Sequence, residues 1–322
     1  ALELLIKNAK PYPIDGVYRF DDFRAELKEL YANDLKRGLN QGVGYDFYSV
    51  ALGELTAITG IPNHGKSSVL NQMLINLIKN YNAVNGKLDK SVDFRVGVFS
   101  PEMMPAQNYI GRTCAQFKNK PFEKKYTNRI SEEELDLSTA FLNEHIFILN
   151  PDIGDAAPMK LLSLARSLVL TQSVKGIVID PFNKLEHCRK AMDLTEGEYV
   201  AWFLNSWQSF ARQYNVHVWI VVHPRKMQRD PKNPGEYEIP SIYDIIGSSN
   251  FAGICDNILC CHRSIMKNDP YVYLYTIKIR NFWVGTPGGC SKLLMDTESK
   301  SFINAPEDSD EELDNYFNTS GD

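Results

Sequence analysis

The chain has 322 residues, of which 43% are hydrophobic, and a formal charge of −5. That is enough to bury one large core with appendages or two modest ones, and it is not the composition of a disordered protein. No run approaches the roughly twenty uncharged apolar residues that span a bilayer, and the first residues carry neither a signal-peptide nor an Arg-rich transit pattern, so no membrane partner is expected. Glu307 to Asp322 contains seven acidic residues and no Lys or Arg; without it, 35 basic residues face 33 acidic ones. A body so close to neutral suits local gripping of a polyanion through loops better than electrostatic coating.

Phe20, Phe23, Leu27, Leu30 and Tyr31 recur at helical spacing and predict one amphipathic helix within residues 20–36. The loop RGLNQGVGYD joins it to the core. From about Leu55, short β-rich runs alternate with longer helical patterns: LTAIT then SVLNQMLINLIKNY, RVGVFS, HIFILN then PMKLLSLARSLVLTQ, GIVID then YVAWFLNSWQSFARQY, and VHVWIVVH. Such alternation predicts an α/β fold with a mostly parallel sheet flanked by helices. Val200, Phe203, Leu204, Trp207 and Phe210 form a helical apolar stripe that reads as core. After residue 256, NILCCH, YVYLYTIKI and KLLMD succeed one another without helices, so the sheet is expected to end in antiparallel strands.

The resulting division is an N-terminal linker arm over 1–45, a core over 46–304, and an acidic tail over 305–322, expected to be disordered because like charges repel and little apolar surface is available. The six cysteines are scattered without paired spacing and read as buried thiols of a reducing compartment.

Gly60, Ile61, Pro62, Asn63, His64, Gly65, Lys66 and Ser67 fit GxxxxGK[ST] and lie between a predicted strand and a predicted helix, the context that phosphate cradling requires. The glycines permit the tight path, the helix N-terminal amides, with Ser68 beside them, receive phosphate oxygens, Lys66 neutralises the β and γ phosphates, and the Ser67 hydroxyl ligates Mg²⁺. ATP and Mg²⁺ are therefore the expected ligands.

Asp180 ends the apolar strand GIVID, where a buried acid is costly without a cation; magnesium is the expected partner, and capping of the turn before Pro181 is the bland alternative. Glu102 lies just beyond another predicted parallel strand, at the edge where such sheets bind ligands, and is expected to orient or deprotonate the attacking water. His223 ends VWIVVH at the same edge and reads either as a γ-phosphate sensor or as a satisfied structural histidine. Lys278 and Arg280 alternate with Ile277 and Ile279 on one strand face, which suits an anionic partner or, equally, plain solvation.

With these residues in order, the sequence resembles the Twinkle-type and phage helicase-primase branch of the DnaB-type replicative helicases. The likeness is carried by GELTAITGIPNHGKS, VFSPEM, IVIDPFNKLEH, VWIVVHPRKM, PSIYDIIGSSNFAGICDNILCCHR and KIRNFWVGTPG, in the family's order over residues 10–303.

The resemblance implies a RecA-like P-loop NTPase fold, a homohexameric ring with nucleotide at subunit interfaces, and 5′ to 3′ movement on single-stranded DNA with unwinding of forked duplex. It gives Glu102 the catalytic glutamate role, Asp180 the Walker B role, His223 the sensing role, and Arg280 with Lys278 the role of a pair acting on the neighbouring subunit. It also places Arg263 beside the adenine base. Where relatives often have a tyrosine near KLLMD, this chain has Met295, with Phe302 downstream.

The DNA-contacting loops are expected after Asp180, with Lys184, Arg189 and Lys190, and after His223, with Arg225, Lys226, Arg229 and Lys232. The acidic tail resembles those through which some phage helicases recruit DNA polymerase, and a DNA polymerase or primase is the partner it suggests. The location implied is cytoplasmic, in a bacterium or a phage host, with a mitochondrion or plastid as the alternative if a presequence is removed. A recombinase-type filament ATPase and a nucleotide-switched helicase loader or scaffold remain the rival readings.

Overall fold

The computed structural model describes residues 18–33, 38–79, 93–102, 105–151, 157–190, 192–231, 236–264 and 269–306. Lys232 and the acidic tail beyond residue 306 lie outside the described residues. The chain divides into two compact units, 1–36 and 37–322. In the first, a 3₁₀ turn at Phe20–Phe23 leads into helix α1, Arg24–Asn33. The second takes in residues 38–45, which the sequence grouped with the arm: Leu39 bridges Val50, and Val43 and Tyr48 are buried.

The core is one nine-stranded sheet in the order β3-β2-β4-β5-β1-β6-β7-β8-β9. Its strands are β1 Leu55–Thr59, β2 Val96–Phe99, β3 Ile146–Ile148, β4 Gly176–Ile179, β5 His217–Val221, β6 Asn257–His262, β7 Tyr271–Ile279, β8 Cys290–Met295 and β9 Phe302–Asn304. The first six pair in parallel, and β7, β8 and β9 add on as antiparallel strands.

Burial explains the two patterns. Every residue of β1, β2, β4 and β5 is buried because helices cover both faces, which demands continuous apolar runs. β7 alternates buried and half-buried positions, as a strand covered mainly on one face does.

One face of the sheet packs against α5, Ala157–Gln172, α6, Glu196–Tyr214, and α7, Ser248–Ile254. The other carries α2, Lys66–Ile78. Helices α3, Gly111–Lys118, and α4, Glu132–Asn143, form a smaller cluster beside β3. The stripe on α6 is core, as the sequence indicates: Val200, Phe203, Leu204, Trp207 and Phe210 are all buried. Thr195 caps its start by accepting from the Glu198 amide, with the Glu198 side chain reciprocating, and Asn215 in the left-handed region ends it. No described helix is long and apolar enough to cross a membrane.

A polar seam crosses this core where β1 and β5 begin. His217 meets the Ala51 carbonyl through Nδ1 at 2.6 Å, and its Nε2 lies 2.9 Å from the Thr56 hydroxyl and 3.2 Å from that of Tyr48. Nearby, Glu54 accepts from Asn257 at 2.8 Å and Asn281 at 2.6 Å. Cys114, Cys255, Cys260 and Cys261 are free and buried, and Cys290 is free and half-buried.

Candidate nucleotide site

Strands β1, β2, β4 and β5 run parallel, so the residues just beyond them gather at one edge of the sheet. Lys66, Glu102, Asp180 and His223 each lie past the end of one of these strands, which is why residues scattered over more than 150 positions come together.

The loop after β1 reverses tightly onto α2. Gly60 sits at φ 145°, and a Cβ there would lie 2.3 Å from the Cys261 carbonyl oxygen of β6; Gly65 is at φ 91° and Asn63 at φ 68°. Only glycine tolerates the first of these, on both backbone and space. Lys66 turns back on its own loop and donates to the carbonyls of Gly60 at 2.6 Å and Ile61 at 3.1 Å. Burial holds its pKa below the ordinary lysine value, opposed by nearby acidic groups that include Asp180 and Glu102. An ammonium satisfied, among the described residues, by carbonyls of a partly dry loop fits an anionic ligand well.

Asp180 is buried near Ser67, whose hydroxyl favours the ionised carboxylate. Burial raises its pKa, with Glu102 adding to the rise while Ser67 and Lys66 oppose it. A buried carboxylate short of positive charge, next to a serine hydroxyl, matches the hard oxygen donors that Mg²⁺ takes. Glu102 is exposed and forms an ion pair with Lys184 at 3.1 Å.

His223 is half-buried, and its Nδ1 is buried without a hydrogen-bond partner among the described residues. Burial lowers its pKa, and Lys66 and Lys184 act in the same direction against Glu102. Asn183, on the turn after Asp180, accepts from the His223 amide at 3.1 Å. Sequence reasoning gives Asn183 no role, since nothing local distinguishes it from any other turn asparagine.

At the loop's flank, His64 is buried and its Nδ1 accepts from the Arg263 amide at 3.0 Å. Arg263 donates through Nε to the Asp269 carbonyl at 3.0 Å and lies 3.9 Å from the Met295 sulfur. Phe302 is buried under Gly65 in the core, so its ring is not presented to a base.

Lys278 and Arg280 do share one side, at the far end of the sheet. Lys278 donates to the Ala252 and Cys255 carbonyls, both at 2.6 Å. Arg280 donates to those of Gly253 at 2.8 Å and Ile254 at 3.3 Å and pairs with Asp256 at 3.2 Å. Both cations therefore neutralise the C-terminal carbonyls of α7. The Arg280 amide bonds the Asp256 carbonyl, whereas Gly60 abuts Cys261, five residues further along β6. At about 3.3 Å per strand residue this separation is about 17 Å, beyond the reach of an arginine side chain to the loop of its own chain.

The basic residues of the two loops meet different fates. Lys184 is engaged by Glu102, and Arg189 pairs with Glu196 at 3.1 Å, while Lys190 is exposed. Arg225 is held by Asp244 at 3.0 Å, Lys226 is exposed, and Arg229 lies over the Tyr237 ring at 4.3 Å.

A family model for an AAA domain matches residues 48–229, and the chain belongs to the AAA domain family. Within it, the likeness is to Twinkle and DnaB-type helicases. The chain is 32% identical over 319 residues to the chloroplastic and mitochondrial Twinkle homolog of Arabidopsis thaliana, a match covering 95% of this chain and 42% of that protein. The chain thus spans less than half the length of that relative. Its fold is shared with a solved ATPase domain, at a TM-score of 0.70 and 17% identity over 91% of this chain and 100% of the other. A DnaB-like replicative helicase, described with its interactions with primase, superposes with a TM-score of 0.68 at 17% identity over 95% of this chain and 71% of that one.

Proposed function

We propose that the chain is the motor of a replicative DNA helicase, hydrolysing ATP to move 5′ to 3′ along single-stranded DNA and unwind a forked duplex as a homo-oligomeric ring. The observation that carries this reading is the split of the chemistry between opposite ends of one sheet. Lys66, Ser67, Asp180, Glu102 and His223 share one edge, while Lys278 stands about 10 Å and Arg280 about 17 Å away along the strands. A second copy presenting its β7 end to this edge completes the set, which is what a ring or filament does.

In this reading the loop amides and Lys66 bind the phosphates, and Ser67 and Asp180 hold Mg²⁺, which supplies charge neutralisation there. Glu102 orients a water toward the γ phosphorus and takes its proton as the new P–O bond forms and the bond to ADP breaks. His223, tied through Asn183 to the turn after β4 and starting the loop that holds Arg225, Lys226 and Arg229, links phosphate occupancy to the DNA-facing loops. Arg280 with Lys278 neutralises charge from the neighbouring subunit.

The test is ATP turnover with and without single-stranded DNA, followed by unwinding of forks with 5′ or 3′ tails. DNA-stimulated turnover and unwinding from the 5′ tail are expected. DNA pairing on open filaments without unwinding would favour a recombinase-type ATPase, and turnover indifferent to DNA a nucleotide-switched loader. An organellar or bacterial setting and a polymerase or primase partner for the acidic tail belong to the same proposal.

A further inference from the structure

Strand β2 ends one residue before Ser100, and strand β4 one residue before Asp180. Phe99 pairs with Ile179 in parallel, and the Asp180 amide donates to the Phe99 carbonyl at 2.9 Å. The ladder thus runs one residue past both strands and sets Ser100 opposite Asp180. Side chains alternate across a sheet. Val98 and Val178 pack on the α2 side, Phe99 and Ile179 on the other. Ser100 and Asp180 therefore return together to the α2 side, where Lys66 and Ser67 open that helix.

The Ser100 hydroxyl oxygen is buried and has no hydrogen-bond partner among the described residues. Leaving a buried hydroxyl unpaired costs about 1–3 kcal/mol, a cost that alanine at the same place avoids. Across the ladder stands a carboxylate only 8% exposed, whose burial disfavours its own charge. Carboxylates that hold a metal are themselves held by hydrogen-bond donors, which fix the direction of the oxygen facing the ion. Rotation about a single torsion carries a serine oxygen from one staggered position to the next, so the donor needs no movement of the strand.

We propose that Ser100 is a positioning residue for the metal: its hydroxyl donates to the Asp180 carboxylate and holds it toward a Mg²⁺ carried between Asp180 and Ser67. The proposal rests on the nucleotide and metal reading above. Phosphate binding by the loop amides and Lys66 does not involve this hydroxyl, so its loss weakens what Mg²⁺ adds to nucleotide affinity and spares the metal-free affinity. Tyr109 supplies the comparison. Its hydroxyl is also buried, its ring packs on the α2 side, and burial and then the Asp180 charge push its pKa up, against Thr113. It belongs to the helical segment Pro105–Ile110, and no strand pairing sets it opposite Asp180.

The experiment uses the full chain and measures equilibrium binding of ADP, which has no γ phosphate to lose, in Mg²⁺ and in EDTA. The proteins are the wild type, Ser100→Ala, Ser100→Thr, Tyr109→Phe and Asp180→Asn. In Ser100→Ala the Mg²⁺-dependent gain in affinity is expected to fall about tenfold, the scale of a hydrogen bond to a charged group, with affinity in EDTA within about twofold of wild type. Ser100→Thr, which keeps the hydroxyl, should restore the gain, Tyr109→Phe should retain it, and Asp180→Asn should lose it. Thermal melting checks folding, and Ser100→Thr alone, by keeping or losing the gain, decides the matter if Ser100→Ala fails to fold. Equal weakening in Mg²⁺ and EDTA marks a structural role and overturns the proposal. A full gain in Ser100→Ala alongside its loss in Asp180→Asn overturns it too, and leaves the metal reading standing. A wild-type affinity indifferent to Mg²⁺ overturns both.

Discussion

Glu102 and Lys184 show how much one side chain can do at this site. The carboxylate proposed to activate water is engaged by an ammonium from the turn after β4, at 3.1 Å and largely in solvent. Such a pair contributes at most about 1 kcal/mol, weak enough for a DNA phosphate to draw Lys184 away. Lys184→Ala is therefore expected to raise ATP turnover without DNA by up to about fivefold and to reduce the stimulation by single-stranded DNA. Unchanged basal turnover in a steady-state assay would show that the pair does not restrain Glu102. His217 carries a different prediction. Burial lowers its pKa to about 4 from the usual histidine range, opposed by its bond to the Ala51 carbonyl and by Asp256. The unfolded chain then binds the extra proton first as pH falls, so stability is lost on descending from about 6.5 toward 4 and is complete above that window. By pH 5 the loss is about 2 kcal/mol. Melting curves at pH 7.5 and 5.0 should show it, and His217→Gln, which keeps a donor and an acceptor, should reduce the difference by this share, leaving that of His64, whose pKa burial also lowers to about 4.

At the scale of elements, the sheet was largely readable because its strands are local patterns. Continuous apolar runs mark β1, β2, β4 and β5, alternation marks β7, and the stripe on α6 announces its buried face. The placement of candidate residues was readable where it follows from a strand end, as for Lys66, Glu102, Asp180 and His223. It was opaque where the role depends on which strands become neighbours. That β6 lies beside β1 decides that His64 meets Arg263, and that β7 runs back along β6 decides that Arg280 ends at Asp256. No window of sequence holds either fact. The same adjacency makes Gly60 a sharp test. Gly60→Ala would put a methyl 2.3 Å from the Cys261 carbonyl at a φ of 145°, so the loop must move off β6. Nucleotide binding should fall at least tenfold, while the melting temperature changes far less than in Trp207→Ala, which empties the α6 core at about 3–5 kcal/mol. Wild-type ATP affinity in Gly60→Ala would show that the loop does not need its seat against β6.

For the whole molecule, the decisive question is whether one chain completes another. With Arg280 engaged on α7 and Asp256 at the far end of the strands, an isolated chain has no route for this cation to its own phosphates. Arg280→Ala should thus bind ATP normally yet hydrolyse it at least a hundredfold more slowly, and Glu102→Gln should be similarly inactive. The two defects lie on opposite sides of an interface if the cation acts in trans. In a random equal mixture, about one interface in four joins an intact Glu102 to an intact Arg280. Turnover should then rise well above either parent, up to about a quarter of the wild-type rate if interfaces fire independently and lower if firing must pass around the ring in sequence. Cis action predicts instead that the mixture gives the mean of its two inactive parents at every ratio. With mixed assembly verified by differently tagged subunits, recovery above both parents places Arg280 on the neighbour's site, while wild-type turnover in Arg280→Ala alone would remove it from that site, and with it the physical reason for a ring.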